Sequence, residues 1–287
     1  MVSLLTNPLA TPTQLSTSPS FLDGVPSDLE ASLLWASCTL IQSAGILLRL
    51  PQPTIATATI LLQRFYLIRS FLSFPPLQSC HAALYLASKL TEHPIKPKKI
   101  LAVTTYLTRV ASPSPISPPG SPSSSSEEVD PESYYIEPTA LHYSIQGLLN
   151  TETEILKALS FQTHCSLPYS LVVTYLQALD CLEKPVVKKA MAYLNDALVS
   201  NCRVYLTHQP NALAVAAIYL AAREEGKKLP EEWWMVFDAD REDLGFLCVA
   251  ILGVEEEVRR RREEWSGVGG VWLKEEVERE VKRRGGE

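Results

Sequence analysis

The sequence predicts an all-α fold made of two tandem five-helix units, the first of them interrupted by a Ser/Pro-rich insert. The first observation is the run 81–93, whose interior is almost wholly apolar or small and which is followed by Pro94. Such a run is typical of a helix surrounded by other helices, because alanines let neighbouring backbones approach closely. The second observation is that the pattern of residues 82–89 returns at residues 216–223, with a positive charge kept at its last position. Chance similarity between two Ala/Leu-rich helices is the alternative, but both runs lie in the middle of a series of helical segments, which favours a repeat.

The first unit is expected to span residues 27–165. The segment before it, residues 1–26, is rich in Thr, Ser, Pro and Leu without a sustained period and is expected to be disordered. Ser27-Asp28-Leu29-Glu30 has the form of a capping box and predicts the start of the first helix. Prolines near the later helix starts and stops separate the remaining helices. These are expected at about residues 54–72, 81–93, 98–110 and 141–159.

The insert within this unit is expected to cover residues 112–140, because a further helix after it is needed to complete the five. Its first part is almost entirely Ser and Pro, and acidic residues follow at Glu127, Glu128 and Asp130. A stretch of this composition buries too little apolar area to order itself. The insert is therefore expected to be disordered.

The second unit is expected to span residues 166–258 and to be followed by a charged helical tail, residues 259–287. Prolines again stand at or near the predicted helix starts. The helices of this unit are expected at about residues 168–180, 185–200, 209–224, 230–237 and 241–262. In the tail, Val277 lies on the apolar face of a short amphipathic segment.

Composition and charge exclude several classes of function. The net charge of −6 argues against a general nucleic-acid binder, which carries a basic face. No apolar stretch is long enough to span a bilayer, and we find no secretory signal. The six cysteines form no C-x-x-C pair and are expected to be buried free thiols in the cytosol or nucleus. Phosphate-binding glycine loops, nucleophile elbows and paired metal-binding histidines are missing, so we expect no catalytic residue, no metal and no cofactor.

The repeated five-helix pattern, with a small-residue central helix ending in Ala-Ser-Lys, resembles the cyclin box and is most like that of the L-type cyclins. The stretches that carry the resemblance are residues 40–52, 86–89, 173–179, 193–198 and 218–223. The resemblance implies two tandem cyclin boxes in a non-catalytic subunit that activates a cyclin-dependent protein kinase, its heterodimer partner. For the L-type it implies a nuclear role in RNA polymerase II transcription and pre-mRNA processing, with transcription or splicing factors as further partners.

The resemblance also implies a kinase-binding site. In the family, the third and fifth helices of the first box press against a helix of the kinase and turn it so that the catalytic ion pair of the kinase forms. The polar contacts fall on Lys89 and Glu152, and the apolar contacts fall on Leu90, Leu156 and Phe161. A solvated surface pair is the alternative for the two charged residues, and core packing is the alternative for Leu156 and Phe161. We favour the interface for the charged pair, because Lys89 closes a helix too apolar to be a surface element.

Four serines of the insert precede a proline, which is the minimal site for a proline-directed kinase. They are Ser112, Ser114, Ser117 and Ser121. A bound kinase is expected to phosphorylate them and so to add charge to an already acidic loop. An unselective linker rich in Ser and Pro is an equally good interpretation.

The sequence departs from the family in three respects. Leu90-Thr91-Glu92 supplies one acidic residue where the family commonly has two. The first helix lacks the arginine-containing patch of cell-cycle cyclins. The Arg/Ser-rich tail of animal L-type cyclins is not found in this sequence. These departures bear on kinase choice, on substrate docking and on the recruitment of splicing factors. The rival assignments are a K-, T- or Q-type transcriptional cyclin, and a cyclin-fold adaptor or scaffold that does not activate a kinase. DNA binding that falls with salt would indicate an adaptor between DNA and polymerase.

Overall fold

The computed structural model describes residues 6–111, 136–200, 202–265 and 271–284, and none of these residues lies in a β-strand. The described helices of the first half are α1 (Pro12–Ser16), α2 (Pro19–Leu22), α3 (Ser27–Leu47), α4 (Gln52–Tyr66), α5 (Pro76–Leu90), α6 (Pro97–Ala111) and α7 (Pro138–Ala158). Those of the second half are α8 (Tyr169–Ala178), α9 (Lys184–Ala197), α10 (Val204–Thr207), α11 (Pro210–Glu224), α12 (Arg241–Leu252), α13 (Val254–Trp265) and α14 (Lys274–Arg284). The predicted all-α class is confirmed.

The first unit is organised around α5, which packs against α3, α4, α6 and α7. Ala82, Ala83 and Ala87 on this helix are fully buried. Their methyl side chains let the surrounding helices approach closely, which confirms the prediction of a central buried helix. The helix begins at Pro76, earlier than predicted, because a proline fits the first helical turn, where its missing N–H costs no hydrogen bond.

The second unit repeats this arrangement around α11, which packs against α8, α9, α10 and α12. Ala216 and Ala217 at the centre of α11 are fully buried, and Trp233 joins the same core from a short 3-10 helix. Ala56 and Ile60 of α4 also belong to this core, so the two units share a packed boundary. The prediction of two tandem helical units is confirmed, and the residue boundaries given for the units stay predictions.

Several predicted helix bounds are wrong. The helix expected at 230–237 is the 3-10 helix Trp233–Phe237, and the helix expected at 241–262 is divided at Gly253 into α12 and α13. Glycine is a poor helix former, which explains why the division falls there. Helix α7 begins at Pro138, so the end of the predicted insert, 112–140, is helical.

The prediction of disorder for residues 1–26 is wrong for the described part of that segment. Asn7 binds the second unit, because its Nδ2 donates to the carbonyl of Ser166 and its Oδ1 accepts from the N–H of Ser166, both at 2.8 Å. Ser18 is buried and caps α2, accepting from the N–H of Phe21 at 3.1 Å. Val25 is buried in the first core. The Ser, Thr and Asn residues that suggested disorder supply helix caps and contacts to distant backbone.

The predicted capping box at Ser27 is also wrong. Pro26 occupies the N-cap position of α3 and no side chain caps the helix, because Ser27 is already its first residue. Glu30 points to other partners: it accepts from Arg203 Nη2 at 2.8 Å and from the hydroxyl of Ser18. Glu30 and Arg203 are both buried, so this ion pair joins the first helix of the first unit to the second unit.

The C-terminal helices fold back onto the first unit. Val271 and Val277 are buried in the core that contains α3, and Trp265 Nε1 donates to Ser32 Oγ of α3 at 2.6 Å. The side chain of Arg261 is 2% exposed and forms ion pairs with Asp28 of α3 and with Glu257 and Glu264 of α13. Arg284 of α14 also reaches Asp28, at 3.2 Å. Of the predicted apolar face of the amphipathic tail segment, Val277 and Val281 pack against the first core, whereas Leu273 is exposed.

Among the described residues, no helix combines the length and the apolar character needed to cross a lipid bilayer. The six cysteines are all free, and the prediction of buried thiols holds for Cys38, Cys80 and Cys248, whereas Cys165 and Cys181 are partly buried and Cys202 is exposed. Burial raises the pKa of Cys38 to about 11, so this thiol stays protonated at neutral pH. Within the described ranges, we find no group of three or more His, Cys, Asp or Glu side chains placed to hold a metal ion.

Candidate functional site

The C-terminal halves of α5 and α7 bring two of the predicted site residues together. Lys89, in the last turn of α5, forms an ion pair with Glu152 of α7. The side chain of Lys89 is 42% exposed, whereas that of Glu152 is only 8% exposed. Lys89 Nζ also lies 4.4 Å from the centre of the Tyr85 ring, one helical turn earlier. The ammonium group is therefore held at the surface by a carboxylate and an aromatic ring, with its outer side open to a partner.

The apolar site residues differ in exposure. Leu90 is 43% exposed and Phe161 is 70% exposed, whereas Leu156 is partly buried against the first core. Core packing therefore accounts for Leu156 and not for Phe161. The exposed apolar side chain of Leu90 follows the charged Lys89 directly in the chain, and that of Phe161 is exposed just after the end of α7. Exposed apolar side chains near a charged group are a suitable combination for binding a protein surface.

The turn that ends α7 explains why Phe161 is exposed. Ser160 and Phe161 have φ angles of 50° and 61°, both in the left-handed region. The N–H of Phe161 donates to the carbonyl of Leu156 at 2.8 Å, which satisfies one of the open carbonyls at the helix end. A non-glycine residue is uncommon in this conformation and Phe161 gains no burial from it, so the turn presents the ring to solvent at a local cost.

Sequence reasoning missed Tyr85, which is partly buried beneath Lys89. A signal was present, because residues four apart on a helix lie on the same face. Among the described residues of the second unit, the ion pair at the end of the central helix has no direct copy. There, Lys189 of α9 pairs with Glu224 and Glu225 at 2.6 Å each.

The four candidate phosphorylation sites, Ser112, Ser114, Ser117 and Ser121, lie outside the described residues.

Comparison with known proteins shows which family the chain belongs to. No protein-family model matches the chain. Cyclin-L1 of Danio rerio is 34% identical over 239 residues, which are 82% of this chain and 44% of that protein. Cyclin-L2 of Homo sapiens is 32% identical over 251 residues, which are 86% of this chain and 45% of that protein. The chain belongs to the cyclin family. This cyclin spans less than half the length of the curated relatives that it matches.

Solved structures share the fold of this cyclin. A chain of the yeast RNA Pol II CTD kinase CTDK-1 complex superposes with a TM-score of 0.69 at 15% identity, covering 99% of this cyclin and 84% of that chain. A chain of the CAK complex of Chaetomium thermophilum bound to ATP-γ-S superposes with a TM-score of 0.55 at 16% identity, covering 88% and 70%. At these identities the likeness shows the tandem helical fold alone.

Proposed function

We propose that this cyclin is the non-catalytic, activating subunit of a cyclin-dependent protein kinase, with which it forms a heterodimer. As in the L-type cyclins that it resembles, we propose a nuclear role in RNA polymerase II transcription and pre-mRNA processing. The observation that carries the proposal is the ion pair of Lys89 with Glu152 between α5 and α7, together with the exposed apolar side chains of Leu90 and Phe161 near the C-terminal ends of these helices. The similarity to Cyclin-L1 and Cyclin-L2, and the fold shared with chains of two kinase complexes, support it.

The arrangement suits binding to a preformed surface. Glu152 and Tyr85 already hold the Lys89 ammonium group, so binding of a partner costs little further side-chain entropy at Lys89. Leu90 and Phe161 supply apolar area, and full burial of a side chain such as Phe161 contributes about 1.5–3 kcal/mol. If these contacts form only with the active arrangement of the kinase, their free energy shifts the kinase toward that arrangement.

The kinase-binding surface is tested with the double variant Lys89→Ala and Glu152→Ala. We expect this variant to lose co-purification with the kinase while its helical circular dichroism persists. The matched control is Lys189→Ala with Glu224→Ala, which removes an interhelical ion pair of the second unit. Phe161→Ala, at an exposed position, is expected to weaken kinase binding about tenfold without affecting the fold. Intact co-purification of the double variant would contradict the proposed surface.

The partner is identified by purifying the tagged protein from its own cells, followed by mass spectrometry and a kinase assay. Recovery of one cyclin-dependent kinase with activity is the expected result. Recovery of polymerase components without a kinase would leave the fold unchanged and overturn the proposed function in favour of an adaptor.

Phosphorylation of the insert is a separate part of the proposal. Incubation of the purified complex with ATP is expected to modify Ser112, Ser114, Ser117 or Ser121. Mass spectrometry of the insert tests this, because four unmodified serines would contradict the proposed phosphorylation without bearing on the proposed kinase-binding surface.

A further inference from the structure

An open cavity of about 760 Å³ lies where the turn after α8 leads into α9. Its volume is within the range of about 300–1,000 Å³ that is typical of ligand sites. Three apolar and two cationic residues line it, and these are Leu182, Pro185, Val187, Lys184 and Lys188. Leu182 is 50% exposed and Val187 is partly buried against the second core, so the cavity has an apolar side that a partner can reach.

Lys184 and Lys188 are exposed cations whose charge is not neutralised by their neighbours. Neither forms an ion pair with a residue that the structure describes. The adjacent Glu183 already pairs with Lys227, at 2.6 Å, and Lys189 of α9 is bound by two glutamates at the end of α11. The cavity therefore presents two unpaired positive charges on a chain whose net charge is −6.

The two lysines are spaced to bind two carboxylates at once. Residues four apart lie on the same face of a helix, about 6 Å apart along its axis. Two acidic residues match this spacing when they are two positions apart in an extended peptide, at about 6.8 Å, or four positions apart in a helix. Exposed ion pairs contribute little free energy by themselves, so the apolar side of the cavity has to supply much of the affinity.

We propose that this cavity docks an acidic segment of a partner protein, in which a large apolar side chain lies next to two carboxylates. Charge complementarity with Lys184 and Lys188 selects the acidic segment, and Leu182 offers contact to the apolar side chain. The inference concerns the second unit and does not depend on the proposed kinase partner.

Nucleic acids and membranes fit this surface less well. Two lysines on an acidic chain neutralise only two phosphates, whereas nucleic-acid affinity comes from many such contacts. Electrostatic binding to anionic lipids uses clusters of about 4–8 basic residues. An acidic peptide needs only the two charges that are present.

Selection from an unbiased library of displayed peptides, each of about 12 residues, tests the proposal on the whole chain. Peptides that bind the native chain are kept, and those that also bind the double variant Lys184→Glu with Lys188→Glu are removed. We expect the survivors to carry two Asp or Glu residues, two or four positions apart, beside Leu, Ile, Phe or Trp. Their synthetic forms are titrated by fluorescence anisotropy. We expect binding to weaken at least about tenfold when Asn or Gln replaces the acidic residues, and to weaken as salt is raised.

The control Lys98→Glu with Lys99→Glu makes the same change of charge at two exposed lysines of α6 and is expected to retain binding. Leu182→Ser, at an exposed position, is expected to weaken binding about tenfold while the helical circular dichroism persists. The comparison of charged with uncharged peptides on the native chain needs no variant, so it holds even if a variant unfolds.

The proposal is overturned if no peptide survives the selection, if the survivors lack acidic residues, or if their uncharged forms bind equally well. Two other occupants would also overturn it. Light scattering would show a second copy, if the native chain dimerises and the double variant does not. Flotation with phosphatidylserine vesicles would show a lipid surface, if the native chain binds them and the double variant does not.

Discussion

At the scale of the residue, His81 shows how burial fixes a protonation state inside the central helix. Its side chain is buried in the first unit, and its Nε2 lies 2.6 Å from Thr104 Oγ1 of α6. Because Thr104 Oγ1 donates to the carbonyl of Ile100 at 2.9 Å, it accepts the Nε2–H of the neutral imidazole. Burial lowers the pKa of His81 from 6.5 to about 4. The imidazole ring of His81 is therefore neutral in the folded protein.

This environment predicts a stability loss on acidification. The unfolded chain takes up a proton at His81 near pH 6.5, whereas the folded chain does so only near pH 4. The contribution of His81 to the free energy of unfolding is thus complete above pH 6.5 and decreases as the pH falls toward 4, by about 3 kcal/mol in all. Urea unfolding between pH 7 and pH 4 is expected to show a shallower pH dependence for His81→Gln than for the native chain. Parallel curves for the two proteins would refute this assignment.

The candidate site was predictable at this scale only in part. The Ala-Ser-Lys sequence at the end of the central helix identified Lys89, and the resemblance to the family identified Glu152. The structure brings these two residues into contact. The exposure of Phe161 depends on two left-handed residues at the end of α7, and neither Ser160 nor Phe161 is a residue type that favours this conformation. Composition alone could not show that this aromatic ring lies outside the core.

At the scale of the element, α3 and α4 approach each other closely at Gly45. A Cβ atom placed at Gly45 would lie 2.5 Å from Ile55 Cγ1, and Ile55 is itself buried. The sequence predicted both helices from their prolines and apolar residues, but it could not show that one glycine in α3 is a contact point. The distance depends on how the two helices cross, which is a property of the packed pair.

Gly45→Ala is therefore expected to destabilise the chain, by about 1–3 kcal/mol, because the added methyl group forces α3 and α4 apart. Gly245→Ala in α12 is the matched control, since a Cβ there meets nothing within 4 Å. It is expected to stabilise by up to about 1 kcal/mol through helix propensity alone. Chemical denaturation measures both variants, and equal stabilities would contradict the close approach.

At the scale of the whole molecule, each end of the described chain packs against the unit that is far from it in the sequence. Asn7 binds Ser166 of the second unit, and the helices α13 and α14 cover α3 of the first unit. Sequence reasoning found the two units because each repeats one local pattern. It assigned residues 1–26 to disorder because contacts between residues far apart in the chain leave no local periodicity.

The buried charge of Arg261 is expected to hold the tail in place. Burial lowers the pKa of Arg261, but the carboxylates of Glu264, Asp28 and Glu257 outweigh this effect and raise it above its ordinary value. Arg261→Met removes the cation that these carboxylates share, but Arg260 and Arg284 still pair with them, so the substitution is expected to cost about 1–2 kcal/mol. Arg262→Met, at the exposed neighbouring position, is expected to change stability by less than about 0.5 kcal/mol.

Hydrogen exchange locates the effect of these two variants. Protection of the amides in α14 and in the first turns of α3 is expected to fall in Arg261→Met and to persist in Arg262→Met. Loss confined to α13 would show that Arg261 stabilises its own helix and does not hold the tail against α3.

The return of the tail to α3 has a consequence for biosynthesis. Arg284 follows Asp28 by 256 residues, so the ribosome makes the whole second unit before the helix that covers α3 exists. Domains usually fold as units during synthesis, the N-terminal one first. Here the first unit emerges from the ribosome with part of α3 uncovered and is finished only after α14 has been made. Nascent chains of this cyclin are therefore expected to need a chaperone to shield that helix until α14 emerges.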